Sequence, residues 1–165
     1  MFQRLLREET IHVRLEAPNH EAALAEMVAF LPAFAFSARQ KSEVLELLLQ
    51  RERFGTTAIG EGVALPRCTL TGLLSPVVAL GISRKGIRYP SLDGQPVHLI
   101  FLTLFPEDET LNPDRQRILQ SAEWILKDRF LKERLKICES AEEAYEIILR
   151  EANILLDVLP AAGNQ

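Results

Sequence analysis

Apolar residues return every three or four positions along the first part of the chain, with Ala23, Leu24, Met27, Val28 and Leu31 falling on one side of a helical wheel. Pro18 and Asn19 open this stretch and Pro32 closes it, so the pattern predicts one amphipathic helix. Ser37 followed by Gln40 reads as a capping box, the Ser oxygen taking a free backbone N–H and the Gln side chain reaching back. It leads into Val44, Leu45, Leu48 and Leu49, and this second helix is expected to end near Phe54 and Gly55.

The period then changes. Gly60, Gly62, Pro66, Gly72, Gly81, Gly86 and Gly94 punctuate short apolar runs rich in β-branched residues, which predicts strands. Pro76 to Ile82 and Val97 to Phe105 are nearly continuous apolar runs, as expected of strands covered on both faces, with Ser91 to Gln95 as the turn before the second. From Asn112 the helical period returns. Asn112 suits the cap and Pro113 the first helical position, while Ile118, Leu119, Ala122, Ile125 and Leu126 form the buried stripe. A short helix is expected around Phe130 to Lys136. Ser140 with Glu143 makes another capping box, opening a last helix to about Arg150. Trp124 and Tyr145 lie on these helices as packing residues. This order predicts an α/β fold, a mixed, roughly five-stranded sheet sandwiched between helices, with residues 58 to 105 supplying most strands. Residues 1–158 are expected to form a single domain and 159–165 a frayed tail.

Composition narrows the function classes. With 23 acidic against 19 basic residues the formal net charge is −4, and the Lys and Arg are dispersed, which argues against nucleic-acid binding. Two cysteines, Cys68 and Cys138, are too few for a disulfide scaffold and read as reduced thiols. The N-terminal residues have no apolar signal core, and no run approaches the roughly 20 apolar residues of a membrane span, so a cytoplasmic protein is expected. No metal-ligand spacing is present, and neither metal nor cofactor is expected. His12 and His20 lie near the first helix and are expected to be exposed; His98 sits inside a strand as a hydrogen-bonded structural residue.

The stretch Arg51-Glu-Arg-Phe-Gly-Thr-Thr-Ala-Ile-Gly-Glu-Gly-Val-Ala-Leu-Pro-Arg67 and the turn Asp93-Gly94-Gln95-Pro96-Val97 carry the most specific pattern. They resemble the enzyme IIA proteins of the bacterial sugar phosphotransferase system, in their type 2 form, the fructose/mannitol and nitrogen-regulatory group. That family's pattern runs Arg-Glu-x-x-x-Ser/Thr-Thr-Gly-Ile-Gly-x-Gly-Ile-Ala-Ile-Pro-His-Gly-Lys, and its His carries a phosphoryl group. Here the matching position is Arg67. The resemblance extends over nearly the whole chain and implies the same mixed sheet between helices. It also implies a second His at the start of the helix after the last long strand. The segment Glu107 to Leu119 has none, and by register the nearest residues are Arg115 and Arg117.

Neutral imidazole offers a phosphoryl group a lone pair, whereas guanidinium stays protonated and only donates hydrogen bonds. Position 67 therefore cannot accept. A loop with Gly60 and Gly62 still admits close backbone approach of an anion, and arginine grips phosphate or carboxylate as a fork, so Arg67, Thr56, Thr57, Gly60, Gly62, Arg115 and Arg117 are candidates for an anion site. The bland alternative has the glycines serving turn geometry and Arg67 solvated. Cys68 beside Arg67 and the strand residue His98 are the remaining acceptors to weigh, a cation lowering a thiol pKa. The resemblance places position 67 in a shallow, partly exposed depression at the sheet end, expected to be lined by the Gly55 to Gly62 loop, with Arg115 or Arg117 within roughly 15 Å, about four extended residues.

The resulting expectation is a regulatory IIA-like protein acting by protein–protein contact, phosphotransfer lost. The implied partners are an HPr-like phosphocarrier, a sensor kinase, a transporter or a regulator. The alternatives are a phosphocarrier that accepts from HPr through another residue, and a domain that senses an anionic metabolite.

Overall fold

A computed structural model describes residues 2–158. Local signals start most of the helices. The Asn19 side chain accepts from the Ala22 N–H at 2.9 Å, opening α1 (His20–Phe30). Both halves of the Ser37/Gln40 box are made at the start of α2 (Ala38–Phe54). Arg51 closes that helix by donating to the Gly55 carbonyl at 2.9 Å. The remaining helices are α3 (Arg115–Leu126), α4 (Arg129–Lys136), capped by Asp128 on the Leu131 N–H, and α5 (Ala141–Val158).

The strands are β1 (Ile11–His12), β2 (Ala58–Gly60), β3 (Val63–Ala64), β4 (Arg67–Leu70), β5 (Val77–Ile87) and β6 (Val97–Pro106). They form one mixed sheet in the order β1-β5-β6-β3-β2, with β4 following β3 along the same side of β6. β5 and β6 are antiparallel, while β1 runs parallel to β5, and β3 and β4 parallel to β6. Side chains alternate across β6. Leu99, Phe101 and Phe105 pack under α3, α4 and α5, whereas Ile100, Leu102 and Leu104 pack under α1 and α2. Each fully buried Leu or Phe contributes about 1.5–3 kcal/mol, so the two apolar layers hold the sheet between its helices.

Several expectations change in detail. The sheet has six strands rather than five, because the N-terminal segment adds β1, a two-residue ladder too short to leave a period in the sequence. β5 continues past Ile82 through Ser83, Arg84, Lys85 and Gly86, a polar end that joins the ladder across a register shift. Asn112 does not cap α3. It turns inward and its Nδ2 donates to the Pro106 carbonyl at 2.6 Å, so the helix starts later, after Asp114. Ser140 Oγ accepts from the Glu143 N–H, but Glu143 reaches back to the Glu139 N–H, one residue earlier than a capping box requires. α5 runs on past Arg150 to Val158, and the expected tail 159–165 lies outside the described residues. His12 and His20 are half-buried rather than exposed: His12 pairs with Glu26 at 2.9 Å and stacks on Phe30, and His20 lies against Tyr89.

Candidate functional site

The strand register brings two arginines together. Arg67 opens β4 opposite Thr103, so its side chain shares the face of Phe101 and Phe105. Arg115 opens α3, and its guanidinium lies 4.7 Å over the centre of the Phe105 ring, two residues farther along β6. Both line a depression of about 450 Å³ together with Glu109, Asn112, Pro113, Gln116 and Leu119. Arg67 is half-buried, and its Nη1 makes one long contact, 3.4 Å, to the Leu65 carbonyl. Burial first, then the charges of Arg51 and Arg115, hold its pKa below the ordinary guanidinium value, with Glu52 pulling the other way. The group remains a cation at any working pH.

Asn112 is 8% exposed at the floor of this region. Its Nδ2 is spent on Pro106, and its Oδ1 is buried with no partner among the described residues. Such an unmatched oxygen costs about 1–3 kcal/mol. Neither Arg67 nor Arg115 forms an ion pair among the described residues. Arg117 points elsewhere: it pairs with Asp114 at 3.5 Å and its side chain is 72% exposed, outside the depression.

The depression is not lined by the Gly55 to Gly62 loop, because that loop meets the opposite end of β6. The Gly62 carbonyl accepts from the N–H groups of His98 and Leu99, five and four residues before Thr103, which at about 3.3 Å per residue sets the turn roughly 15 Å from the Arg67 ladder position. Glu61 and Gly62 both have positive φ, 56° and 79°, and form a two-residue connection between β2 and β3. The glycine there serves the hairpin. Thr56 and Thr57 are also committed. Thr56 Oγ1 donates to the Pro90 carbonyl and accepts from the Ala58 N–H. Thr57 is buried, and Glu52 accepts from its backbone N–H at 3.1 Å and from its hydroxyl. Tyr89 donates to the same carboxylate at 2.7 Å. This Glu52–Thr57–Tyr89 network ties the end of α2 to the loop, and neither its Glu nor its Tyr stood out in the sequence as site residues.

Cys68 faces the other side of β4, packed against the α1–α2 layer. Burial, with a smaller contribution from Glu43, pushes its thiol up to about 12, opposite in direction to the lowering expected from Arg67 beside it. Cys138 is likewise raised, to about 11, by burial and Glu143. Iodoacetamide at pH 8 is therefore expected to leave both thiols of the native protein unmodified over a time that fully alkylates the urea-unfolded chain, as mass spectrometry would report. Rapid native labelling of Cys68 would contradict this assignment. His98 Nδ1 lies 2.8 Å from the Ser83 carbonyl, which can only accept, so Nδ1 is the donor. That imidazole sits beside Gly62 and Gly86, at the far end of β6 from Arg67.

Among the described residues no group of three or more His, Cys, Asp or Glu is placed to hold a metal ion, and no helix is long and apolar enough to cross a membrane.

A mixed sheet between two helical layers is the fold this chain shares with solved enzyme IIA-type structures. The chain belongs to the family described as "Phosphoenolpyruvate-dependent sugar phosphotransferase system, EIIA 2", whose model matches residues 4–151. It is 33% identical over 144 residues to a nitrogen regulatory protein of Bradyrhizobium diazoefficiens, covering 87% of this chain and 92% of that one. It is 32% identical over 144 residues to the fructose-specific EIIABC component of Bacillus subtilis, of which the match spans only 22% of the length and 87% of this chain. The crystal structure of nitrogen regulatory protein IIA-Ntr from Neisseria meningitidis superposes with a TM-score of 0.77 at 27% identity, covering 88% of this chain and 97% of that one.

Proposed function

We propose that this protein is a cytoplasmic regulatory IIA that acts by contact with protein partners and has lost phosphotransfer. The observation that carries the reading is Arg67, a residue without a free lone pair, at the motif position where the family carries its acceptor His. Arg115 at the mouth of the same depression supports it, since a second imidazole is expected in that region and a cation stands there instead. The names of the nitrogen regulatory relatives support a regulatory role, beside fructose-specific relatives of similar identity. Phosphohistidine is anionic, so a fixed guanidinium at position 67 holds the surface in the charge state of an unphosphorylated member. A partner that recognises that state, whether a phosphocarrier of the HPr kind, a kinase, a transporter or a regulator, would bind without a switch.

The competing reading keeps phosphoryl flow through another residue. Cys68 is poorly suited, being protonated and packed against the helices, and His98 lies at the far end of β6. Incubation with labelled phosphoenolpyruvate, enzyme I and HPr separates the two. No phosphoryl group stable in base and labile in acid is expected on this protein. Stoichiometric labelling mapped to any residue by mass spectrometry would overturn the reading.

A further inference from the structure

We propose that the corner formed by α4 and the polar end of β5 docks on an anionic bilayer surface, with Phe130 and Ile137 entering the headgroup layer and the surrounding cations reaching lipid phosphates. The corner lies at the far end of β6 from Arg67, beside His98, so its role is independent of the regulatory reading.

The fold gathers charge that the sequence spreads. Residues 84–85 and 127–137 carry seven of the 19 basic residues and two of the 23 acidic ones, a local +5 in a chain of net −4. Contacts join these stretches. Arg84 Nη2 donates to the Ile137 and Cys138 carbonyls at 3.2 and 3.0 Å, seating the end of β5 against the C-terminus of α4. His98 bridges the middle: a Cβ on Gly62 would stand 3.5 Å from its ring and 3.8 Å from the Lys132 side chain, and a Cβ on Gly86 would stand 3.1 Å from the same ring. Lys127, Arg134 and Lys136 are spent on Glu123, Glu151 and Glu133. Arg84, Lys85, Arg129 and Lys132 pair with no carboxylate among the described residues, Lys132 donating instead to the Glu61 carbonyl. Of the nearby acids Asp128 is held as the cap of α4, which leaves Glu61 and Glu139 at the border.

Charge alone would suit an acidic protein equally. The apolar residues favour a bilayer. α4 buries Leu131 and Leu135 completely in the core and is held in place by them, yet Phe130 is 79% and Ile137 71% exposed. They stand seven residues apart, about two helical turns, and project from one side, with Arg129 and Lys136 at the same spacing beside them. A headgroup layer accepts such side chains without a matching pocket, and long cationic side chains bend to meet its phosphates. Smeared lipid charge also needs no fixed carboxylates opposite the four cations, each of which gains about fivefold in partitioning close to an anionic surface. The acidic remainder of the molecule opposes this weakly, since charges more than about 8–10 Å from the bilayer are largely screened.

Co-sedimentation of the full chain with sucrose-loaded vesicles at pH 7 and low ionic strength tests this, with phosphatidylcholine alone and an equal mixture of phosphatidylcholine and phosphatidylglycerol as the two surfaces. Reversible partitioning roughly tenfold or more stronger on the mixed vesicles is expected, and high salt should abolish the difference. Lys85→Gln combined with Arg129→Gln should lower it by about tenfold or more, and Phe130→Gln by about fivefold. Both variants should melt like the parent, because these side chains are exposed. Arg67→Gln should partition like the parent. Absent or equal partitioning on the two surfaces, undiminished partitioning in either corner variant, or a loss in Arg67→Gln as large as theirs would overturn the assignment. A parent protein that ignores vesicles but binds polyglutamate would overturn it too, in favour of an acidic protein partner. Labelling from phosphoenolpyruvate is a separate readout, so the regulatory reading and this one can fail independently.

Discussion

Arg67→His combined with Arg115→His is expected to turn an unlabelled protein into one that takes up a phosphoryl group at position 67 from phospho-HPr. On the proposed reading the unaltered chain is expected to start from zero, because guanidinium has five donors and no acceptor. Imidazole restores a lone pair, and its surroundings would favour the neutral form. The half-buried setting and the nearby Arg51 both penalise an added proton, so the new histidine should stay nucleophilic at pH 7. The same Arg51 would stabilise the phosphoryl group once transferred. Arg67→His alone should label more slowly, since the resemblance implies an assisting imidazole at the start of α3. Arg115 is the residue to exchange, because it lines the depression and Arg117 does not. The readout is an acid-labile, base-stable phosphoryl group mapped to position 67. A double variant that melts like the parent and remains unlabelled would show that more than the missing imidazoles blocks transfer.

How much of this was legible beforehand differs between fold and site. Helix starts written in one or two residues, Asn19 and the Ser37/Gln40 pair, stood where the sequence indicated, because a cap is a local hydrogen bond that needs no distant partner. The long apolar strands were equally plain, since burial on both faces removes the polar alternation. β1 was not visible, because two residues paired with Leu80 and Gly81 owe their state to a strand nearly 70 positions away. The approach of Arg67 to Arg115 came through motif position, but the walls of the depression did not. They depend on where β4 meets β6, and the Gly60 to Gly62 turn, adjacent in sequence, is carried to the other end of the same strand. Asn112 shows the limit most clearly. The residue type that caps helices also satisfies buried carbonyls, and only the fold decides between them.

The Glu52 network gives the second large effect, on stability. Glu52→Ala is expected to destabilise the protein by on the order of 3 kcal/mol, a fall of roughly 6–12 °C in melting temperature for a chain of this size. The carboxylate accepts from the Thr57 N–H, the Thr57 hydroxyl and the Tyr89 hydroxyl, all in a region where Thr57 is 3% and Tyr89 4% exposed. Removing it leaves the Thr57 N–H without a partner. The two hydroxyls, 3.1 Å apart, can still bond to each other, so one further O–H is orphaned. Two buried orphans at about 1–3 kcal/mol each give the figure. Tyr89→Phe should cost less, about 1 kcal/mol, because Glu52 keeps both Thr57 donors. Made on the Tyr89→Phe background, Glu52→Ala should keep about its full effect, since the Thr57 hydroxyl then has no tyrosine to turn to and two donors are orphaned as before. Urea titration of the four proteins measures the coupling, and a Glu52→Ala variant within about 0.5 kcal/mol of the parent would show that water replaces the carboxylate. Glu52 follows Arg51 directly on the last turn of α2, and Arg51 closes that helix on Gly55, so loosening the network frees the helix end that carries a positive charge felt by Arg67. Two adjacent residues thus act here: Glu52 is hydrogen-bonded to the loop, and Arg51, bonded to the Gly55 carbonyl, contributes to the field at Arg67.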